Sequence, residues 1–404
     1  MTVISSKRGE NSRNQYNTNR VLILKMILNH PDITRRELSQ QTGLTQAAIT
    51  KIMKDLIDQQ VVFESKVVKG SVGAPSIGLR VDVENYQVIG VKLSRYDYSI
   101  GWYRLDHQLM DQRTYPFDSN LSAHERLEEI SLRLNRLIDE IPQIIYIGFA
   151  VPGPYNLQEG KIELMTEVGG FEKVFLRDYF ENTLSKPVVI SHDANAAALA
   201  CKENYLNQAE NETLAFYYLD QGIGCGVIDR GSFVLGNLGT AAEIGHTTIN
   251  FTGPPCPCGN VGCLETYCST VSFLKQAKEK AKTTPTVLKD LPQVTMSAIF
   301  DHYETDDVCR EVVDETVEAL CVGATVIISA YNPSLLVLGG EMLKGHKFIQ
   351  PRLEAMIKER IIPSIANSTR VVYTQPQDDY VLKGAASVAI EASLNYSNEL
   401  FNRK

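Results

Sequence analysis

The sequence predicts an α/β chain with a small winged helical head followed by a larger two-lobed body, and three observations carry that expectation. Charge divides the chain first: residues 1–80 hold twelve Lys/Arg against six Asp/Glu, a net of +6, whereas the remainder nets −14 and brings the 404-residue total to −8. A basic head on an acidic body suggests a polyanion-binding module joined to something that does not bind polyanions. Helix-start and turn signals crowd the head, and a strand, glycine loop, strand order occurs twice in the body.

In the head, "DITRRELSQQTGLTQAAITKIMKDLIDQQ" reads as two helices around a tight turn. Thr34 with Glu37 three residues on forms a capping box, Gly43 supplies the turn and Thr45 caps the next helix. That second helix buries Ile49, Ile52, Met53, Leu56 and Ile57 at helical spacing, which turns Ala47, Thr50, Lys51 and Lys54 outward. Small, hydroxyl and basic side chains on one face suit a DNA major groove, so the candidate DNA contacts are Arg35, Arg36, Thr45, Gln46, Ala47, Thr50, Lys51 and Lys54. An earlier helix, "RVLILKMILNH", is expected to pack through Val21, Leu24 and Leu28. After the pair, "VVFESKVVKGSVGAPSIGLRVD" reads as a β-wing with Ile77, Leu79 and Val81 alternating and with Ala74, near its tip, a further candidate DNA contact. A helical hairpin used only for packing is the bland alternative, and the charge asymmetry argues against it.

The body opens with "YQVIGVKLS", "YSIGWYRLD" and "QLMDQRTYPF" as strands. An amphipathic helix around "SAHERLEEISLRLNRLIDEI" follows, then the strand "IIYIGFAVPGP". The order recurs at "TLAFYYLDQGIGCGVIDRGSFVLGN", which predicts two related halves with a ligand cleft between them. The first twenty residues are polar, without a secretion-signal core, and no apolar run approaches a membrane span, so a cytoplasmic protein without membrane insertion is expected. In that reducing compartment the eight cysteines are expected to serve metal binding or packing.

"GFAVPGPYNLQEGKI", "ISHDANAAALA", "AAEIGHTTI", "CPCGNVGCLE" and "LLVLGGEM", in this order, resemble the ROK family of bacterial repressors and sugar kinases. The winged head makes the chain similar to the branch of xylose, N-acetylglucosamine and glucose repressors. The resemblance implies an actin-like or hexokinase-like body, a zinc site, a sugar pocket in the cleft, and a homodimer or homotetramer. The expected divisions are a DNA-binding head over residues 1–82, a first lobe over 83–200 completed by about 381–404, and a second lobe over 201–380 with the zinc loop.

His246, Cys256, Cys258 and Cys263 follow H-x9-C-x-C-x4-C spacing. One imidazole and three thiolates fill a tetrahedron around zinc and leave no position for water, so the expected role is structural. By the resemblance, Asp193, Glu243, His246 and Glu265 match sugar contacts, and Glu167 stands where the family usually has Asn and is expected to act as the selectivity residue. Asp193 also matches the general base of the kinases. Their phosphate turn, Asp-x-Gly-Gly-Thr, corresponds to "KLSRY", in which Lys92 replaces the acid, Ser94 and Arg95 the glycines and Tyr96 the threonine. A second phosphate loop reads "DQGIGCG" and carries Asp220 and Gln221.

These departures predict no phosphoryl transfer. The expected function is a sugar-responsive transcriptional regulator, a repressor of carbohydrate genes that leaves its operator DNA when a sugar effector binds. Two alternatives stay open: an ATP-dependent sugar kinase with a DNA-binding head, and a repressor sequestered by a sugar-transporter domain.

Overall fold

A computed structural model describes residues 12–68, 76–165, 169–205, 212–375 and 377–395. The head runs α1 (Ser12–Asn29), β1 (Ile33–Thr34), α2 (Arg35–Thr42), α3 (Gln46–Asp58), β2 (Val62–Val68) and β3 (Ser76–Val81), with the strands in one small sheet of order β1-β3-β2. Thr34 and Glu37 form the expected capping box, Gly43 closes α2 with φ of 70°, and Thr45 caps α3 by accepting from Ala48 N–H. Ile49, Ile52, Met53 and Leu56 are buried and Ile57 is half-buried. In α1 the buried face is Ile23, Leu24 and Ile27, while Val21 and Leu28 are only half-buried. That phase differs by a residue from the expected one, because α1 serves two partners, the head core and the body. In the wing, Leu79 and Val81 face the core but Ile77 is exposed. Ala74, with Gly73 and Pro75 at the expected wing tip, lies outside the described residues.

The first body sheet contains β4 (Gln87–Leu93), β5 (Asp97–Arg104), β6 (Leu109–Pro116), β7 (Ile144–Val151) and, after the short β8 (Tyr155–Asn156) and β9 (Lys161–Ile162) pair, β10 (Val188–His192). Its order β6-β5-β4-β7-β10 has antiparallel pairs at the β4, β5, β6 end and parallel pairs at the other. Helices α4 (Ala123–Glu140) and α5 (Leu176–Thr183) cover its outer face. After α6 (Asp193–Tyr205), the second sheet repeats the plan: β11 (Thr213–Leu219), β12 (Ile223–Asp229), β13 (Ser232–Phe233), β14 (Leu335–Gly339) and β15 (Arg370–Tyr373) in order β13-β12-β11-β14-β15. Its outer face is closed by α7 (Glu265–Cys268), α8 (Thr270–Thr283), α9 (Met296–Asp301), α10 (Asp307–Tyr331) and α11 (His346–Arg360), with the short α12 (Pro363–Ser368) beside them. Matching strand orders bear out the two related halves.

Between the sheets lie α6 and α13 (Tyr380–Asn395). The run Asp193–Cys201 is mostly alanine, and its short side chains let α6 pack closely on α13. This pair places the site, since α6 begins in the cleft and α13 ends against the head. Ala386, Ala389, Ile390 and Leu394 of α13 share one buried cluster with Ile23, Leu24 and Ile27 of α1, and Lys25 Nζ lies 2.5 Å from Glu391 Oε2.

Candidate functional site

The cleft between the two sheets encloses a cavity of about 220 Å³. Asp193, Glu243, His246 and Glu265, the four described residues expected to bind sugar, all line it, and so do Lys92, Ser94, Arg95, Asp220 and Gln221 from the end of β4 and the β4–β5 and β11–β12 turns. Glu167 lies outside the described residues.

Each acid is delivered by the end of an element. β10 stops at His192 and α6 starts at Asp193, whose Oδ1 accepts from the Ala194 N–H at 2.6 Å and stands 3.1 Å from His192 Nε2. Burial lifts the Asp193 carboxyl above the ordinary carboxylate range, and His192 offsets this only in part. Glu243 and His246 bracket a single 3₁₀ turn, and burial raises the Glu243 carboxyl too. Glu265 opens α7, and its Oε2 accepts from Ile223 N–H at 3.1 Å. Carboxylates that need donors, beside an imidazole, suit a ligand rich in hydroxyls.

The metal-ligand expectation has direct geometric support. The donor atoms of His246, Cys256, Cys258 and Cys263 lie within 4.8 Å of one another. Cys258 Sγ and Cys263 Sγ are 3.7 Å apart, and Cys256 Sγ is 3.6 Å from His246 Nδ1. A metal–sulfur bond of about 2.3 Å puts two thiolates of a tetrahedron about 3.8 Å apart, so this cluster could hold a metal ion with little rearrangement. The loop is pre-folded by its backbone: Cys256 N–H donates to Asn260 O, Gly259 N–H to Cys256 O, and Gly262 N–H to Pro254 O. Gly262 has φ of 63°, and a Cβ there would come within 1.7 Å of Asn250 O, so no other residue fits. Cys268 is buried on α7 apart from this set. With Nδ1 toward Cys256, the other imidazole nitrogen of His246 remains for the cavity, which His246 also lines.

The β4–β5 and β11–β12 turns bring charged side chains to the cavity. Lys92 Nζ reaches Asp379 Oδ2 at 3.1 Å; burial opposes its charge, but Asp379 and Asp220 outweigh that and hold its pKa above the usual lysine value. Arg95 is buried, donates from Nη1 to Gln221 O at 3.0 Å and brings Nη2 to 3.7 Å from Glu265 Oε1. Asp220 accepts from Tyr218 OH and from Gln221 N–H. Arg95 has a second-lobe partner that local sequence does not show, and His192 joins the site with no signal beyond its place before Asp193 in "SHDANAAAL".

On the head, Arg36, Thr45, Gln46, Ala47, Thr50, Lys51 and Lys54 are all exposed. Thr45 is committed to its cap and Thr50 Oγ1 donates back to Gln46 O at 2.7 Å. Arg35 is paired with Glu64 at 2.7 Å, and Lys51 Nζ sits 5.5 Å over the Tyr16 ring, whose hydroxyl donates to Asp55.

Comparison with known proteins follows the same division. A family model described as the ROK family matches residues 89–392. The chain belongs to the ROK family. A winged helix-turn-helix DNA-binding model matches residues 16–62, so the ROK body carries a DNA-binding fold at its N-terminal side. Similar curated proteins include the DNA-binding transcriptional dual regulator NagC of Escherichia coli, 25% identical over 382 residues and covering 93% of each chain. The xylose repressor of Bacillus spizizenii is 27% identical over 385 residues, covering 93% of this chain and 96% of its own. Among solved structures, a ROK family transcriptional regulator described as a homologue of the Escherichia coli MLC protein has a TM-score of 0.82 at 22% identity, covering 96% of this ROK chain and 99% of its own. A ROK glucokinase from Streptomyces griseus has a TM-score of 0.65 at 21% identity and covers 75% and 99%. The two share the fold of this chain. Among the described residues no helix is long and apolar enough to cross a membrane.

Proposed function

We propose that this ROK protein is a sugar-responsive transcriptional regulator, a repressor of carbohydrate uptake or catabolism genes that releases its operator when a sugar occupies the cleft. One observation carries the reading: a sugar-type cavity and a helix with a basic, exposed outer face are joined by α13, which packs on α6 at the cleft and on α1 in the head. The names of the relatives, a dual regulator and a xylose repressor, support the same class. In this reading the head ends at about residue 82 and the first lobe at about residue 200, with residues from about 381 to 404 completing that lobe. A symmetric homodimer or homotetramer would match a palindromic operator.

In the cleft, Asp193, Glu243 and Glu265 accept from sugar hydroxyls and His246 donates or accepts through its second nitrogen. With these carboxylates gathered in one cavity, a neutral sugar is preferred to its phosphate ester. Zinc is the ion proposed for His246, Cys256, Cys258 and Cys263; it would be structural and would fix His246 and, two residues beyond Cys263, Glu265.

Asp193 retains the position of a kinase base, which is the observation favouring phosphoryl transfer. Against it, Lys92 cannot bind Mg²⁺, and the Lys92 and Arg95 side chains line the phosphate side, each already paired with a neighbouring acid. We therefore assign no kinase activity. Operator binding measured with and without a panel of neutral monosaccharides, alongside an ATP-turnover assay, tests the reading. Turnover abolished by Asp193→Asn would favour the kinase.

A further inference from the structure

Arg95 starts in the first lobe and ends in the second. Its backbone belongs to the β4–β5 turn, and its carbonyl accepts from Arg126 Nη1 at 3.3 Å. Arg126 is itself buried, donates to Leu121 O at 3.1 Å and Asp118 O at 3.4 Å, and lies 4.9 Å over the Phe117 ring. The base of Arg95 is thus held by a guanidinium that is itself fixed in the first lobe. Its far end crosses the cleft to the Gln221 carbonyl and the Glu265 carboxylate.

On the second lobe the receiving surface is built to match. Glu265 Oε2 is occupied by Ile223 N–H, which leaves Oε1 toward Arg95 and the cavity. Between the loop and this ion pair stands Gly222, where a Cβ would come within 2.9 Å of Glu265 Oε2 and 3.5 Å of Arg95 Nη2, so a side chain would push into the carboxylate. The side chains of Arg95 and Glu265 are only 11% and 15% exposed, and two charges so enclosed are costly to separate. Beside them, Gln221 Oε1 is enclosed with no hydrogen-bond partner among the described residues, an acceptor that a ligand hydroxyl could satisfy.

We propose that Arg95 is an inter-lobe tether and a positioning residue for the ligand site: fixed to the first lobe, it holds the second lobe at Gln221 and orients Glu265 Oε1 for a ligand hydroxyl. Lys92 does not duplicate this role, because its ammonium is taken by Asp379 at the start of α13. A pre-oriented acceptor binds more tightly than one that must be ordered on binding, so the tether converts lobe closure into affinity. The ligand part rests on the sugar-binding reading above; the tether itself does not.

The test uses the full chain and the variants Arg95→Ala and Arg95→Lys. In ligand-free protein, amide exchange at Ile223 should speed up about ten-fold in Arg95→Ala, because Glu265 is released to reorient, and recover in part in Arg95→Lys, which keeps the charge. An unchanged Ile223 rate in Arg95→Ala overturns the tether whatever the ligand is. Calorimetric titration with D-xylose, D-glucose and N-acetyl-D-glucosamine supplies the second readout. Whichever sugar binds wild type should bind Arg95→Ala about ten-fold more weakly and Arg95→Lys in between. Equal sugar affinity in all three proteins overturns the positioning role. Failure of wild type to bind any of the three would count against the sugar reading, and the exchange rates would still decide the tether.

Discussion

At Asp193 the needs of the fold and of the ligand conflict. The folded pKa of this carboxyl is raised by burial, so its contribution to stability is fully present below its unfolded pKa and is lost as pH rises through the folded value. Ionising this carboxyl in the ligand-free fold therefore costs stability. Asp193→Asn should raise the melting temperature of the ligand-free protein at pH 7, with the difference from wild type shrinking as pH falls from the raised folded value to the ordinary Asp range. Thermal scans at several pH values check this, and a lower melting temperature for the variant at pH 7 would contradict it. The same substitution removes an acceptor from the ligand, so sugar affinity should fall by about two orders of magnitude while operator affinity is unchanged. His192, 3.1 Å away, belongs to the same unit, and its replacement should weaken sugar binding less than loss of the carboxylate does.

At the scale of elements, the metal loop and α3 make separate predictions. Cys258 is the exposed cysteine of the proposed zinc set, whereas Cys256 and Cys263 are buried, so Cys258→Ser should lose the ion yet still fold partly, which elemental analysis and calorimetry together would show. Freshly prepared wild type should hold about one zinc per chain. On α3, Lys54 is exposed, and with Lys54 as the proposed phosphate contact Lys54→Ala should weaken binding to all DNA sequences alike and lower the salt slope by about one, whereas Thr50→Ala should alter preference among operators. Fluorescence anisotropy against salt concentration separates the two.

Local features of these elements were legible because their partners lie three to five residues away: the Thr34–Glu37 box, the Gly43 cap and the Cys258–Cys263 pair are all short-range. The α1 phase was not, since the body takes part of its buried face. Arg95 and Lys92 were legible as substitutions but not as contacts. Their partners Gln221 and Asp379 stand 126 and 287 residues away, and only the topology brings them close.

In the whole molecule, two packed helices bridge the cleft and the head. Asp193 begins α6, and Glu203 near its end accepts from Ser387 Oγ of α13 at 2.7 Å and lies 3.2 Å from His107 Nδ1. One turn beyond Ser387, Glu391 pairs with Lys25 of α1. In the proposed mechanism, a shift of α6 on ligand binding would reach the head through packed helices rather than through a linker. Ser387→Ala should leave sugar affinity and sugar-free operator affinity near wild type and reduce the factor by which sugar weakens operator binding. The most direct measurement is operator affinity of the full chain titrated across neutral monosaccharides, with Asp193→Asn in parallel. The account predicts that at least one sugar weakens wild-type operator binding ten-fold or more and leaves Asp193→Asn bound; operator affinity indifferent to every sugar, with ATP-dependent sugar phosphorylation lost in Asp193→Asn, would contradict it.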